Sequence, residues 1–167
     1  MEHGVDAFLA KYAPDIAADV RAARTHLAAY FPRGFELVYD NYNALVFAYA
    51  ANDKASGAVV SIAAYPKWVT LFFLHGSTLP DPHALLQGTG STVRSVRLQP
   101  MSLLQSEPVA TLLEAAIAPH AAAFAAAPAL STVVKSVSAR QRPRRAAAAA
   151  NPAPKRPPPA KRTARGT

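Results

Sequence analysis

Between Glu36 and Leu45 the chain reads ELVYDNYNAL, the densest polar cluster inside its apolar half. Strand alternation sends Glu36, Val38 and Asp40 to one side and Leu37 and Tyr39 to the other, with Tyr42 and Asn43 in the following turn. Two carboxylates on one sheet face, with phenols nearby, suit a general acid/base pair, a hard-cation site or a polar ligand pocket. A solvated edge strand would carry the same residues without any chemistry. Lys67, Trp68, Arg94 and Arg97 are candidate neighbours of such a groove, adding cations and the chain's single indole.

A second stretch, LLQGTGSTVRSVRL from Leu85 to Leu98, has the look of a phosphate cradle. It lacks the spacing and the Lys of a Walker loop, and a dinucleotide fingerprint must follow a strand and open a helix. Gly88 and Gly90 instead follow a predicted helical turn and precede a strand, which assigns them to backbone geometry at positive φ. His75, Asp81 and His83 form the only cluster of two histidines and a carboxylate, at a spacing that matches no helical or hairpin ligand pattern. No G-x-S-x-G or H-E-x-x-H motif occurs, and cysteine is absent, which excludes disulfides, thiolate metal sites and cysteine nucleophiles.

The elements that must position these residues follow from periodicity. Val5, Phe8, Leu9 and Tyr12 share one face of a predicted helix over Val5–Ala13, and Ile16, Val20, Ala23 and Leu27 share one face of a helix that opens at Pro14 and stops at Pro32 and Gly34. FELVYD, ALVFAYA, AVVSIAAY and WVTLFFL read as four strands, with a hairpin across Asn52–Gly57. Asp81 and Pro82 start a short helical turn through Leu86, and VRSVRL is a fifth strand with Val93, Ser95 and Arg97 on one face. Pro108 opens a helix with Leu112, Leu113, Ala116 and Ile117 as its apolar stripe, and STVVKSVSA reads as a last strand.

The formal charge of +8 is unevenly spread. Residues 1–134 hold eight Lys/Arg against all ten acids, whereas residues 135–167 hold ten Lys/Arg and no acid. A slightly acidic domain followed by a basic tail is therefore expected, and beyond Arg140 the Ala/Pro/Lys/Arg-rich composition buries too little apolar surface to order. Arg144, Arg145, Lys155, Arg156, Lys161, Arg162 and Arg165 make this basic region a candidate for non-specific nucleic-acid association, and since no aromatic residue follows Phe124, base stacking by the tail itself is unavailable. No run of eighteen apolar residues free of charge or proline occurs, and the first fifteen residues lack the apolar run of a signal peptide; a cytoplasmic protein with no membrane partner is expected.

The segment AYPKWVTLFFLHGSTLPDPHALLQGTGSTVRSVRL, with ELVYDNYNAL before it and VVKSVSARQRPRR after it, resembles the YdhG-like family, a bacterial domain of unknown function. The resemblance runs from about Val5 to Arg145, which implies a domain over 1–145 followed by a disordered tail over 146–167. It implies an α+β domain, an antiparallel sheet of about five to six strands with helices packed on one side, and docking of RQRPRR on the domain. Some members of that family are described as frataxin-like iron chaperones, which makes iron a candidate ligand here, with Glu36 and Asp40 as its candidate holders. Three functions stay open: a non-enzymatic module binding a small ligand, an ion or a protein; an iron chaperone; and nucleic-acid association through the tail.

Overall fold

The computed structural model describes residues 3–146. Lys155, Arg156, Lys161, Arg162 and Arg165, and the expectation of a disordered tail, lie outside the described residues. Two helices, α1 (His3–Leu9) and α2 (Pro14–Tyr30), lead into the strands β1 (Phe35–Asp40), β2 (Leu45–Ala50), β3 (Ala58–Ala64) and β4 (Val69–Phe73). A long connection then reaches β5 (Arg94–Arg97), followed by α3 (Glu107–Ile117), α4 (Ala121–Ala126) and β6 (Ser131–Val137).

All six strands form one sheet in the order β5-β4-β3-β2-β1-β6, with the helices on one side. Neighbours from β5 to β1 run antiparallel, while β6 lies parallel to β1. The expected antiparallel sheet is thus mixed. The chain leaves the sheet at one edge and returns at the other, and the helical segment between the edges brings β6 in alongside β1 in the same direction.

The core lies between the helices and one face of the sheet. Ile16, Val20, Ala23 and Leu27 of α2 and Val109, Leu112 and Leu113 of α3 pack with Phe47, Tyr49, Val60, Ile62, Leu71, Phe73 and Val96, all buried. Fully burying a side chain such as Leu27 or Leu113 contributes roughly 1.5–3 kcal/mol. Gly34, between α2 and β1, has φ +113, and a Cβ there would stand 2.5 Å from the Ala50 carbonyl oxygen, so only glycine fits this entry to the sheet.

Three local expectations need correction. Asp81–Leu86 is a turn and not a helix: the Asp81 carboxylate accepts the backbone N–H groups of Leu85 and Leu86 at 2.9 Å each, replacing helical bonds with a side-chain turn. Of the two glycines that follow, Gly88 has φ +126, but Gly90 does not adopt positive φ. The helix opened at Pro108 is interrupted over Ala118–His120, where Pro119 has no N–H to donate. The stretch Glu107–Ala126, of 20 residues and mean hydropathy 1.5, is long and apolar enough by composition to cross a membrane. Here it lays Val109, Leu112, Leu113, Ala116 and Phe124 on the core.

Candidate ligand site

The two carboxylates of β1 face the helices together, as alternation requires, but they do not form one groove. Four residues of strand put their Cα atoms about 13 Å apart, so the two carboxylates could share a hard cation, bound at about 2.3–2.6 Å from each oxygen, only by reaching fully toward one another. Each also has its own cation. Glu36, 4% exposed, receives Arg24 Nε at 3.0 Å and Nη2 at 2.6 Å, the Tyr49 hydroxyl at 2.8 Å and the Thr132 hydroxyl at 2.8 Å. Those four hydrogen bonds leave its oxygens little to offer a metal. Burial, and then the charge of Glu36 beside it, pushes the Tyr49 phenol well above its usual range.

Asp40 is fully buried and receives Lys11 Nζ at 2.7 Å and Arg144 Nη2 at 2.8 Å. Burial works against its charge, but hydrogen bonds from Lys11, Gln141 and Arg144 outweigh that penalty and hold its carboxyl below the usual carboxylate range. Arg144, only 4% exposed, also donates to the Asn41 carbonyl, and its guanidinium carbon lies 5.9 Å from the Tyr12 ring. Desolvation, only partly offset by the Arg144 charge, pushes the Tyr12 phenol up to about 12. Arg144 therefore does not belong to a free basic surface, and it pins the segment after β6 onto the turn after β1. Arg145 stays exposed, 3.4 Å from the carbonyls of Ala10 and Lys11.

Among the described residues the opposite face of the sheet carries no helix. Leu37, Ala48, Ala50 and Ala58 are buried there under Phe35, Tyr39, Leu74 and Val133. At the β4–β5 side lies a hollow of about 360 Å³ lined by Tyr65, Trp68, Thr70, Phe72, Gln87, Ser95 and Arg97. The Arg97 guanidinium carbon sits 4.0 Å from the Trp68 ring centroid, and Tyr65 lies 5.7 Å from the same indole. Arg97 is exposed, and among the described residues its guanidinium makes no hydrogen bond or ion pair. The strands contain two acids, Glu36 and Asp40, and both turn to the helices, so the open face has none.

The remaining candidates scatter. Tyr39 is on the open face, where burial raises its phenol pKa and its hydroxyl has no hydrogen-bond partner among the described residues. Tyr42, 48% exposed, lies under Arg142 at 5.6 Å, and Asn43 is exposed beside it. Lys67 is exposed in the turn before Trp68. Arg94 turns away from the hollow and donates to the carbonyls of Gly90 and Val93, tying its own loop. Among the described residues no three His, Cys, Asp or Glu side chains converge on one point, and His75 stacks on His120 at 5.8 Å. The groove expected from Glu36, Tyr39, Asp40, Tyr42 and Asn43 is thus divided between two faces and a turn, and of its proposed neighbours only Trp68 and Arg97 meet. Tyr65, Phe72, Gln87 and Ser95 complete that pair and were not anticipated, although alternation had put Ser95 and Arg97 on one face. No family model, curated protein or solved structure matches the chain.

Proposed function

We propose that this chain is a non-catalytic binding module of the YdhG-like kind, acting in the cytoplasm, and that its ligand is a flat apolar molecule bearing an anionic group. The site is the hollow at Trp68 and Arg97. The observation that carries this reading is the Arg97 guanidinium, stacked on an indole and otherwise uncommitted among the described residues. Its planar fork suits a carboxylate or phosphate, and a ring can lie against Tyr65, Trp68 and Phe72. Iron chaperoning through Glu36 and Asp40 is set aside because each carboxylate already has a cation of its own.

Trp68 is the only tryptophan, so its indole N–H gives a single resonance to follow. Titration with 2-naphthoate should move that resonance saturably with Kd of order 1 mM, the range expected for a ligand of this size. Arg97→Gln should weaken binding about tenfold, since a hydrogen bond to a charged group is worth roughly 1.5–3 kcal/mol. An unmoved resonance, or equal affinity in Arg97→Gln, would overturn the reading.

A further inference from the structure

We infer that the ligand of the Trp68–Arg97 hollow is a single adenine nucleotide, its base edge met by Gln87 and Ser95 and its phosphate by Arg97. The inference deepens the reading of that hollow as a ligand site, and it rests on that reading. What it adds is the polar side of the hollow, whose groups the pairing of β4 with β5 puts in fixed places. Thr70 stands opposite Arg97 and Phe72 opposite Ser95 in the antiparallel ladder, so these four side chains share the open face with Trp68, which lines the same hollow.

Gln87 extends this row beyond β5. Its N–H donates to the Ser95 carbonyl at 2.8 Å and the Ser95 N–H donates to the Gln87 carbonyl at 2.9 Å, a closed antiparallel bridge that sets both side chains on one face. The bridge uses the backbone groups and leaves the side chains over. Among the described residues the Gln87 amide and the Thr70 and Ser95 hydroxyls make no hydrogen bond, although Thr70 is only 8% exposed. An apolar ring laid over them would cut these groups off from water without replacing their bonds, at a cost that a ring with a polar edge avoids.

The amide selects the edge. A primary amide holds a donor and an acceptor side by side in one plane, and its bidentate partner is a ring edge with an acceptor beside a donor. Adenine offers N7 and the N6 amine in that arrangement, whereas guanine offers two acceptors, N7 and O6. The two hydroxyls donate or accept as needed, so they suit either kind of ring atom. Base faces stack on aromatic side chains, which Trp68 and Phe72 supply. The exposed Arg97 guanidinium is then left for the phosphate, and neither β4 nor β5 contains an acid to repel it. At about 360 Å³ the hollow falls at the small end of ligand sites, which run from about 300 to 1,000 Å³, so it suits one nucleotide.

The test follows the Trp68 indole resonance of the full-length chain with adenosine monophosphate, guanosine monophosphate and purine riboside monophosphate, the last of which lacks the N6 amine. Adenosine monophosphate should bind about tenfold more tightly than either of the others, the discrimination expected of a bidentate contact to a base edge. Gln87 is exposed and its bridge is made by the backbone, so Gln87→Leu should fold normally and should erase that preference. Arg97→Gln should weaken all three nucleotides about tenfold while keeping their order, because each loses the same charged hydrogen bond. Equal affinity for the three nucleotides in the parent, or a preference that survives Gln87→Leu, overturns the inference. If 2-naphthoate moves the Trp68 resonance and adenosine monophosphate does not, the hollow takes an apolar anion and the nucleotide inference fails alone; if neither moves it, the reading of the hollow fails as well.

Discussion

Arg144 and Arg97 both stand over an aromatic ring, Tyr12 in one case and Trp68 in the other, yet their charges meet different surroundings. Arg144 is buried with a buried carboxylate, and its charge is spent on holding the chain after β6 against the turn after β1. Arg97 is exposed on a sheet face whose strands carry no acid, and among the described residues its guanidinium makes no hydrogen bond or ion pair. A cation beside a ring says nothing about function until its carboxylate, or the lack of one, is known.

The largest expected effect separates the two arginines in stability. Arg144→Ala leaves Asp40 charged and buried with only Lys11 beside it, and breaking a buried pair in this way costs about 3–5 kcal/mol. Arg97→Ala removes a surface contact and should stay within about 0.5 kcal/mol of the parent. Urea denaturation of both variants measures the gap directly. A similar cost for both would dissolve the distinction drawn here and return Arg144 to the pool of cations free for phosphate.

How much of this contrast could be read in the sequence depends on the range of the interactions. Alternation correctly placed Glu36 with Asp40 on one side and Ser95 with Arg97 on one side, because a strand's period of two is local. The ion pairs are not local: Asp40 meets Arg144 across 104 positions and Glu36 meets Arg24 from a helix 12 positions earlier. Nothing in ELVYDNYNAL announces that both of its acids are already neutralised. The strands FELVYD through WVTLFFL were legible because β-branched and aromatic residues alternate between turn residues. Asp81–Leu86 misled because an Asp-Pro pair opens helices and side-chain turns alike. The parallel direction of β6 is set by the helical crossover before it and is absent from its own residues.

The next effect is one of pH. The Asp40 carboxyl titrates below its usual range in the folded protein and near 3.9 in the unfolded chain. The unfolded state therefore binds the proton first, so the pair's stabilisation is present above about pH 4 and drains away as pH falls through the folded-state value. Asp40→Asn should flatten this part of the acid limb, while Arg97→Gln should leave the limb where it is. Stability curves recorded between about pH 2 and pH 5 decide the matter. An unchanged acid limb in Asp40→Asn would mean that other carboxylates govern acid unfolding.

The smallest effect tests whether burial itself is what divides structural from available cations, because one carboxylate here holds one cation of each kind. Lys11 reaches Asp40 at 2.7 Å, slightly closer than Arg144, but its side chain is 41% exposed against 2% for Arg144. Its ammonium also touches Gln141 Oε1 at 2.9 Å and lies 5.3 Å from the Phe8 ring. Lys11→Met keeps an unbranched stem on Phe8 and removes only the charge and its donors. Asp40 would retain Arg144, so no buried charge is stranded, and an exposed cation contributes about 0–1 kcal/mol. The variant should therefore lose about 1 kcal/mol or less, and raising salt should narrow its gap to the parent while leaving the Arg144→Ala gap nearly unchanged, since buried pairs are screened far less. Thermal or urea unfolding at low and high salt reads both differences. A Lys11→Met cost equal to that of Arg144→Ala would show that proximity to the carboxylate, and not exclusion from water, makes a cation structural in this fold.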